Sequence, residues 1–256
     1  MNLRLCTLSQ SFLSIFQLFV CTSMYQKQDV NSLSAPTTFE ELQQRLNGIL
    51  GKSISELSLQ VKMPLPIDTV HGKGFTGEVI EACLGASAQN LPIPDFPYLG
   101  LELKTIPVDS NFKALESTFL CHAPLTNIRG LTFENSALYT KIKRVLFVLV
   151  NATRDLTFED RKVLGFFFYT PTQDELQTLK SDFDELYEMV KTGYVDSINA
   201  RIGQIIQMRP KGADGKALTE CIGPEGEIIR TRPRGFYMRR AYTQIIINKH
   251  VFAHND

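Results

Sequence analysis

Apolar positions in this chain change their period several times, and each change marks an element. Thr38-Phe39-Glu40-Glu41 is a helix-capping pattern, followed by Leu42, Leu46, Ile49 and Leu50 at helical spacing as far as Gly51. Ser53 to Glu56 repeats the pattern and predicts a second, short helix. Gly72, Gly74 and Gly77 lead into a third, whose apolar side is Val79, Ile80, Cys83 and Leu84, with Glu81 inside it and Gly85 at its end. After the broken link Pro92-Ile93-Pro94 and Asp95, residues 98–106 predict a strand. Its period of two sets Leu99, Leu101 and Leu103 on one face and Glu102 with Lys104 on the other. Further strands are expected over 118–122, 144–150 and 163–169, and a long amphipathic helix over 172–191. The fold class expected is mixed α/β, a mixed sheet flanked by helices.

Charge refines this picture locally. The chain balances 27 basic against 27 acidic residues, so any polyanionic partner must be met by a patch. Over residues 171–190 six carboxylates, Asp174, Glu175, Asp182, Asp184, Glu185 and Glu188, stand against the single Lys180, which reads as a solvated face or a protein contact. Residues 201–250 reverse the balance, with ten basic side chains against four acidic ones. Arg209, Lys211, Lys216, Arg230, Arg232, Arg234, Arg239 and Arg240 alternate there with glycines, Phe236 and Tyr237, a composition suited to DNA phosphates.

With 256 residues and 43% hydrophobic content, one large domain or two lobes sharing a cleft is expected. The five cysteines form no CxxC pair, which suits a reducing, cytoplasmic setting, and Cys83 and Cys121 read as small buried hydrophobes. Near the N-terminus, Arg4 and the apolar stretch from Phe12 to Val20 superficially resemble a secretory signal. That stretch is too short to span a bilayer and is broken by Ser14 and Gln17. Met24 is therefore taken as the functional start, with residues 1–23 an upstream extension and 24–256 the working domain.

Asp95, Glu102 and Lys104 are the candidate chemistry. Phosphodiester hydrolysis needs a cation at the scissile phosphate, an activated water and a positive group near the reacting oxygens. Two hard carboxylates suit Mg²⁺, and a lysine on the same face can orient or deprotonate the water. In isolation the Asp-x6-Glu-x-Lys pattern fits a surface salt bridge as well. The shared strand face, Glu81 on the preceding helix and the basic patch favour chemistry.

The stretches Leu84-Gly85-Ala86-Ser87-Ala88, Asp95-Phe96 and Leu99-Gly100-Leu101-Glu102-Leu103-Lys104-Thr105-Ile106-Pro107-Val108-Asp109 closely resemble the MutH family of strand-nicking mismatch-repair endonucleases. The resemblance continues through Ala123-Pro124-Leu125-Thr126, Lys143-Arg144-Val145-Leu146, Arg209-Pro210-Lys211 and Pro233-Arg234-Gly235-Phe236-Tyr237. It implies a restriction-endonuclease-like fold with two lobes around a DNA cleft, the C-terminal basic lobe starting near residue 195. It further implies Mg²⁺-dependent nicking, with Mn²⁺ as a substitute, of the unmethylated strand at hemimethylated GATC sites. Asp95 and Glu102 match the family's metal-binding carboxylates, Lys104 its catalytic lysine, Glu81 a further active-site acid and Lys141 a lysine near the phosphate. Lys73, Arg209, Lys211 and Tyr237 match DNA-contacting positions, Tyr237 beside the adenine whose methylation blocks cutting. The partners implied are double-stranded DNA and MutL, with MutS acting through MutL, for a monomer with no membrane association. From the residues alone, Tyr237 could also be an ordinary core aromatic, and Arg209 and Lys211 non-specific phosphate contacts. Two competing readings remain: a GATC-specific restriction enzyme cutting both strands, and a non-catalytic DNA-binding scaffold. The loop 89–94 departs from the family's usual sequence, as does the extension before Met24.

Overall fold

The computed structural model describes residues 33–252 apart from 67–73, 89–90, 92 and 213–214. The expectations for Lys73 and for the N-terminal extension with Met24 fall outside the described residues.

Helix α1 (Phe39–Ile49) starts where the Thr38 hydroxyl accepts the Glu41 amide, and it buries Leu42, Leu46 and Ile49. Helix α2 (Ile54–Gln60) carries a complete Ser53/Glu56 capping box. Helix α3 (Phe75–Leu84) begins and ends on glycines in the left-handed region, Gly74 and Gly85. These three helices cover one face of a mixed sheet of order β1 (Glu102–Val108), β3 (Val145–Asn151), β4 (Val163–Tyr169). β1 runs parallel to β3, and β4 antiparallel. β3 is buried on both faces, as a central strand between two layers must be. Leu146, Val148 and Val150 pack toward the three helices, while Val145, Phe147 and Leu149 enter the larger core on the other side.

That larger core is closed by helix α5 (Gln173–Lys191) and by an antiparallel sheet of order β2 (Thr118–Ala123), β8 (Arg234–Met238), β5 (Ile206–Pro210). Helix α4 (Ala137–Ile142) precedes β3, helix α6 (Arg240–Ile247) follows β8, and β6 (Thr219–Ile222) pairs with β7 (Ile228–Thr231) as a separate hairpin. The mixed α/β expectation holds, with the strands divided among these sheets rather than gathered in one. Among the described residues no helix is long and apolar enough to cross a membrane.

Three details correct the sequence reading. The strand expected over 98–106 starts only at Glu102, because Pro97–Leu99 forms a 3-10 turn and Gly100 follows at φ +59°. Tyr98 is consequently exposed. Asp182, counted with the acidic helix face, is 2% exposed and turned inward, where it accepts the amides of Gln204, Ile205 and Ile206 at 2.8, 2.7 and 3.0 Å. Two arginines of the basic stretch also have internal work. Arg234 is buried and donates to Asp196, and Arg239 donates to the carbonyls of Ala200, Ile202 and Gly203. A sequence count of charge cannot separate such side chains from those that face a ligand.

Candidate active site

The 3-10 turn is what assembles the acidic pair. Phe96 and Leu101 exchange both backbone hydrogen bonds across it, so the chain doubles back and Asp95 comes level with Glu102. Asp95 Oδ2 accepts the Leu103 amide at 2.9 Å, which fixes the carboxylate beside Glu102 despite the seven-residue separation. Glu102 is anchored through its amide to the Arg144 carbonyl and through the parallel register with Val145. Along β1 the face carrying Glu102 and Lys104 continues as Ile106 and Val108, which enter the larger core. The charged pair therefore occupies the end of a strand whose other end is apolar.

Glu102 has no exposed surface. Its Oε1 accepts from Lys104 Nζ, and its Oε2 accepts from Lys141 Nζ at 2.9 Å. Lys141, on α4, also donates to the Ile93 carbonyl at 2.8 Å, tying the segment just before Asp95 to the same carboxylate. Burial pushes the Glu102 carboxyl above its ordinary value, opposed by Lys104 and reinforced by Asp95. Glu81, on α3, is likewise raised, by burial first and by the Asp95 charge second. Gly77, one turn earlier, carries no side chain, and a Cβ there would stand 3.9 Å from Thr105 Oγ1 and 4.0 Å from Glu81 Oε1. The helix and strand thus approach closely enough for three carboxylates and two lysines to share one field.

The sheet β2-β8-β5 provides an aromatic and cationic surface. Tyr237 pairs in register with Phe119 on one side and Gln207 on the other, and its ring meets that of Phe119 edge to face at 5.3 Å. Arg209 lies over the Tyr237 ring at 5.4 Å and donates to Ser117 Oγ at 2.8 Å, while Lys211 lies over Phe119 at 4.9 Å. Gly235 makes this stack possible, since a Cβ there would come within 2.7 Å of the Phe119 ring and 3.3 Å of Lys211 Cβ. Burial raises the Tyr237 phenol above its ordinary value, so the residue stays a neutral hydrogen-bonding group.

One cleft of about 1100 Å³ joins the two regions. Glu81, Lys104 and Thr105 line it together with Phe119, Arg209, Lys211 and Tyr237. A single polyanion lying in it would meet Glu81 and Lys104 of the acidic constellation and the aromatic surface at once, with Glu102 buried behind them.

Comparison with known proteins accords with this arrangement. The family described as "DNA mismatch repair enzyme MutH" matches residues 84–182, from the end of α3 through the site to Asp182. A DNA mismatch repair protein MutH of Shewanella baltica (strain OS185) is 40% identical over 220 residues, 86% of this chain and 99% of that protein. Its counterpart in Klebsiella pneumoniae (strain 342) is 41% identical over 223 residues, 87% of this chain and 96% of the relative. The chain belongs to the MutH family.

For a MutH-family chain the sequence reading found most of the groups that converge here. Glu81, Asp95, Glu102, Lys104 and Lys141 are brought together, and Arg209, Lys211 and Tyr237 share the cleft with two of them. Phe119 was missed, because an aromatic in a strand pattern reads as core; only the pairing with β8 turns it toward Lys211 and Tyr237. Burial pushes the Cys83 and Cys121 thiols up to about 11 and about 12; Cys83 is buried as expected, whereas Cys121 is only partly buried at the edge of the larger core.

Proposed function

We propose that this chain nicks the unmethylated strand at hemimethylated GATC sites through Mg²⁺-dependent phosphodiester hydrolysis. Family membership makes it a mismatch-repair endonuclease, and the observation that supports the finer reading is the shared cleft. Glu81 and Lys104 open onto the same space as Arg209, Lys211 and Tyr237.

The donor set suits a hard divalent cation. Asp95 and Glu102 offer carboxylate oxygens from adjacent backbone positions, and their mutual repulsion with Glu81 is only partly relieved by lysines. Among the described residues no three ligating side chains converge on one point. Two carboxylates, with water and phosphate oxygens completing the coordination, is the ordinary arrangement for Mg²⁺. When bound, the ion would neutralise charge on the scissile phosphate and acidify a water. Lys104, held at Glu102, is the group to orient that water and take its proton, and Lys141 adds positive charge beside the same carboxylate. On the other wall, Arg209 and Lys211 present donors suited to guanine or phosphate acceptors, and the Tyr237–Phe119 pair gives a rigid surface against which an adenine N6-methyl would collide. MutL, and MutS through it, are the proposed partners of a cytoplasmic monomer, and the exposed Asp174, Asp184, Glu185 and Glu188 of α5 are a candidate docking face.

The test is cleavage of duplexes with one GATC site, unmethylated, hemimethylated or fully methylated, with Mg²⁺ and with or without MutL. Nicks confined to unmethylated strands support the proposal. Double-strand cuts without a partner would establish the restriction enzyme instead, and binding without cleavage the scaffold.

Metal binding has a readout independent of turnover. A carboxyl whose folded value is raised contributes stability that is complete below its unfolded value, about 4.5 here, and is lost as pH rises through the folded value. Metal-free protein is thus strained at neutral pH by Glu81. Glu81→Gln should melt above wild type at pH 8 without metal, the gap closing toward pH 4. Mg²⁺ should raise the wild-type melting temperature at pH 8 more than that of the variant. Equal melting curves for the two metal-free proteins at both pH values would refute this.

A further inference from the structure

Arg161 stands two residues before β4, on a segment clamped to the beginning of α2. The Ile54 amide donates to the Arg161 carbonyl at 2.8 Å and the Ser55 amide to the Glu159 carbonyl at 3.0 Å, while Ser53 bridges Lys162. Its backbone is therefore as fixed as the helix itself, and its side chain lines the cleft. Arg209 on β5 and Lys211 just after it line the same cleft from the other sheet.

Among the described residues no hydrogen bond or ion pair occupies the guanidinium. Its Nε is buried without an acceptor, as is that of Arg234, and no described carboxylate lies within ion-pair distance of Arg161. Glu159, two residues away, lines the same wall without pairing to it. Arg234 and Arg239 differ in that a terminal guanidinium nitrogen of each donates to a named protein oxygen. A half-buried arginine that lines the cleft without an acceptor of its own can offer its terminal NH₂ groups to the paired oxygens of a phosphate entering it, in a fork-like contact.

We propose that Arg161 binds a DNA backbone phosphate, holding the duplex from the wall opposite Arg209 and Lys211. The inference rests on the cleft being the DNA site. It makes Arg161 a positioning residue that acts on all duplexes alike, since a phosphate carries no base identity.

The experiment is a salt titration of binding to duplexes with and without a GATC site, in Ca²⁺ to prevent cleavage, for wild type, Arg161→Gln and Arg161→Lys. Each phosphate contact contributes about 0.9 to the slope of log affinity against log salt. Arg161→Gln should lower that slope by about 0.9 and weaken both duplexes by a similar factor of roughly ten, with an unchanged melting temperature. Arg161→Lys should recover most of the slope. An unchanged slope in Arg161→Gln, or a loss confined to GATC duplexes, would overturn the assignment. Weak binding that tracks a lowered melting temperature in both variants would show a structural arginine instead. Failure of wild type to bind either duplex would remove the DNA-cleft reading itself, an outcome distinct from these.

Discussion

Glu102→Gln should reduce nicking by roughly 10³-fold or more while leaving DNA binding near the wild-type level. The substitution keeps the shape of the side chain and removes the charge on which the site converges: Lys104 on one oxygen, Lys141 on the other, and Asp95 alongside. Gln can accept from one lysine only, and its NH₂ group opposes the second. Loss at this site is a loss of catalysis rather than of docking, because the cleft's aromatic and cationic wall lies on another sheet. Single-turnover cleavage alongside a binding titration separates the two. Retention of more than about a tenth of wild-type nicking would mean that the chemistry lies elsewhere.

The largest effect on stability is expected at Asp182. Its carboxylate accepts three successive amides, from Gln204, Ile205 and Ile206, at a point where α5 meets the entry to β5. Asp182→Ala leaves those donors without acceptors and opens a void, at a cost of about 4 kcal/mol. Asp182→Asn keeps one acceptor oxygen and should lose roughly half as much. Urea unfolding reads both. Because residues 204–206 lead directly into the strand that bears Arg209 and is followed by Lys211, the Ala variant should also bind DNA more weakly under conditions where it remains folded. A change below about 1 kcal/mol would show that water replaces the carboxylate, contrary to its burial.

The sequence carried the elements well wherever the periodic signal was uninterrupted. β4 runs over Val163–Tyr169 as expected, α5 lies within the expected 172–191 and its cap is Thr172, and β3 falls within a residue of its expected bounds. It failed where short-range punctuation competed with alternation. Leu99, Leu101 and Leu103 alternate perfectly, yet Pro97 and Gly100 insert a turn, and that turn is the device that brings Asp95 to Glu102. The residue types of the site were legible because carboxylates and a lysine on an apolar strand are conspicuous. Roles fixed by distant pairing were not: Phe119 depends on β8, and Asp182 on the segment before β5.

The order β2-β8-β5 bears on how this enzyme could be rebuilt. β2 follows β1 by only ten residues, yet its neighbour β8 lies at the far end of the chain. The acidic constellation and the aromatic, cationic surface are thus sewn together by a strand that belongs to one in sequence and to the other in space. No single crossover point exchanges the recognition surface of a relative for this one without also splitting a sheet. Chimeras joined between β2 and β5 must reconcile Phe119 with a foreign Tyr237 and Gly235 partner. New specificity in this scaffold is therefore reached more readily by point substitution on an intact sheet than by recombination of modules.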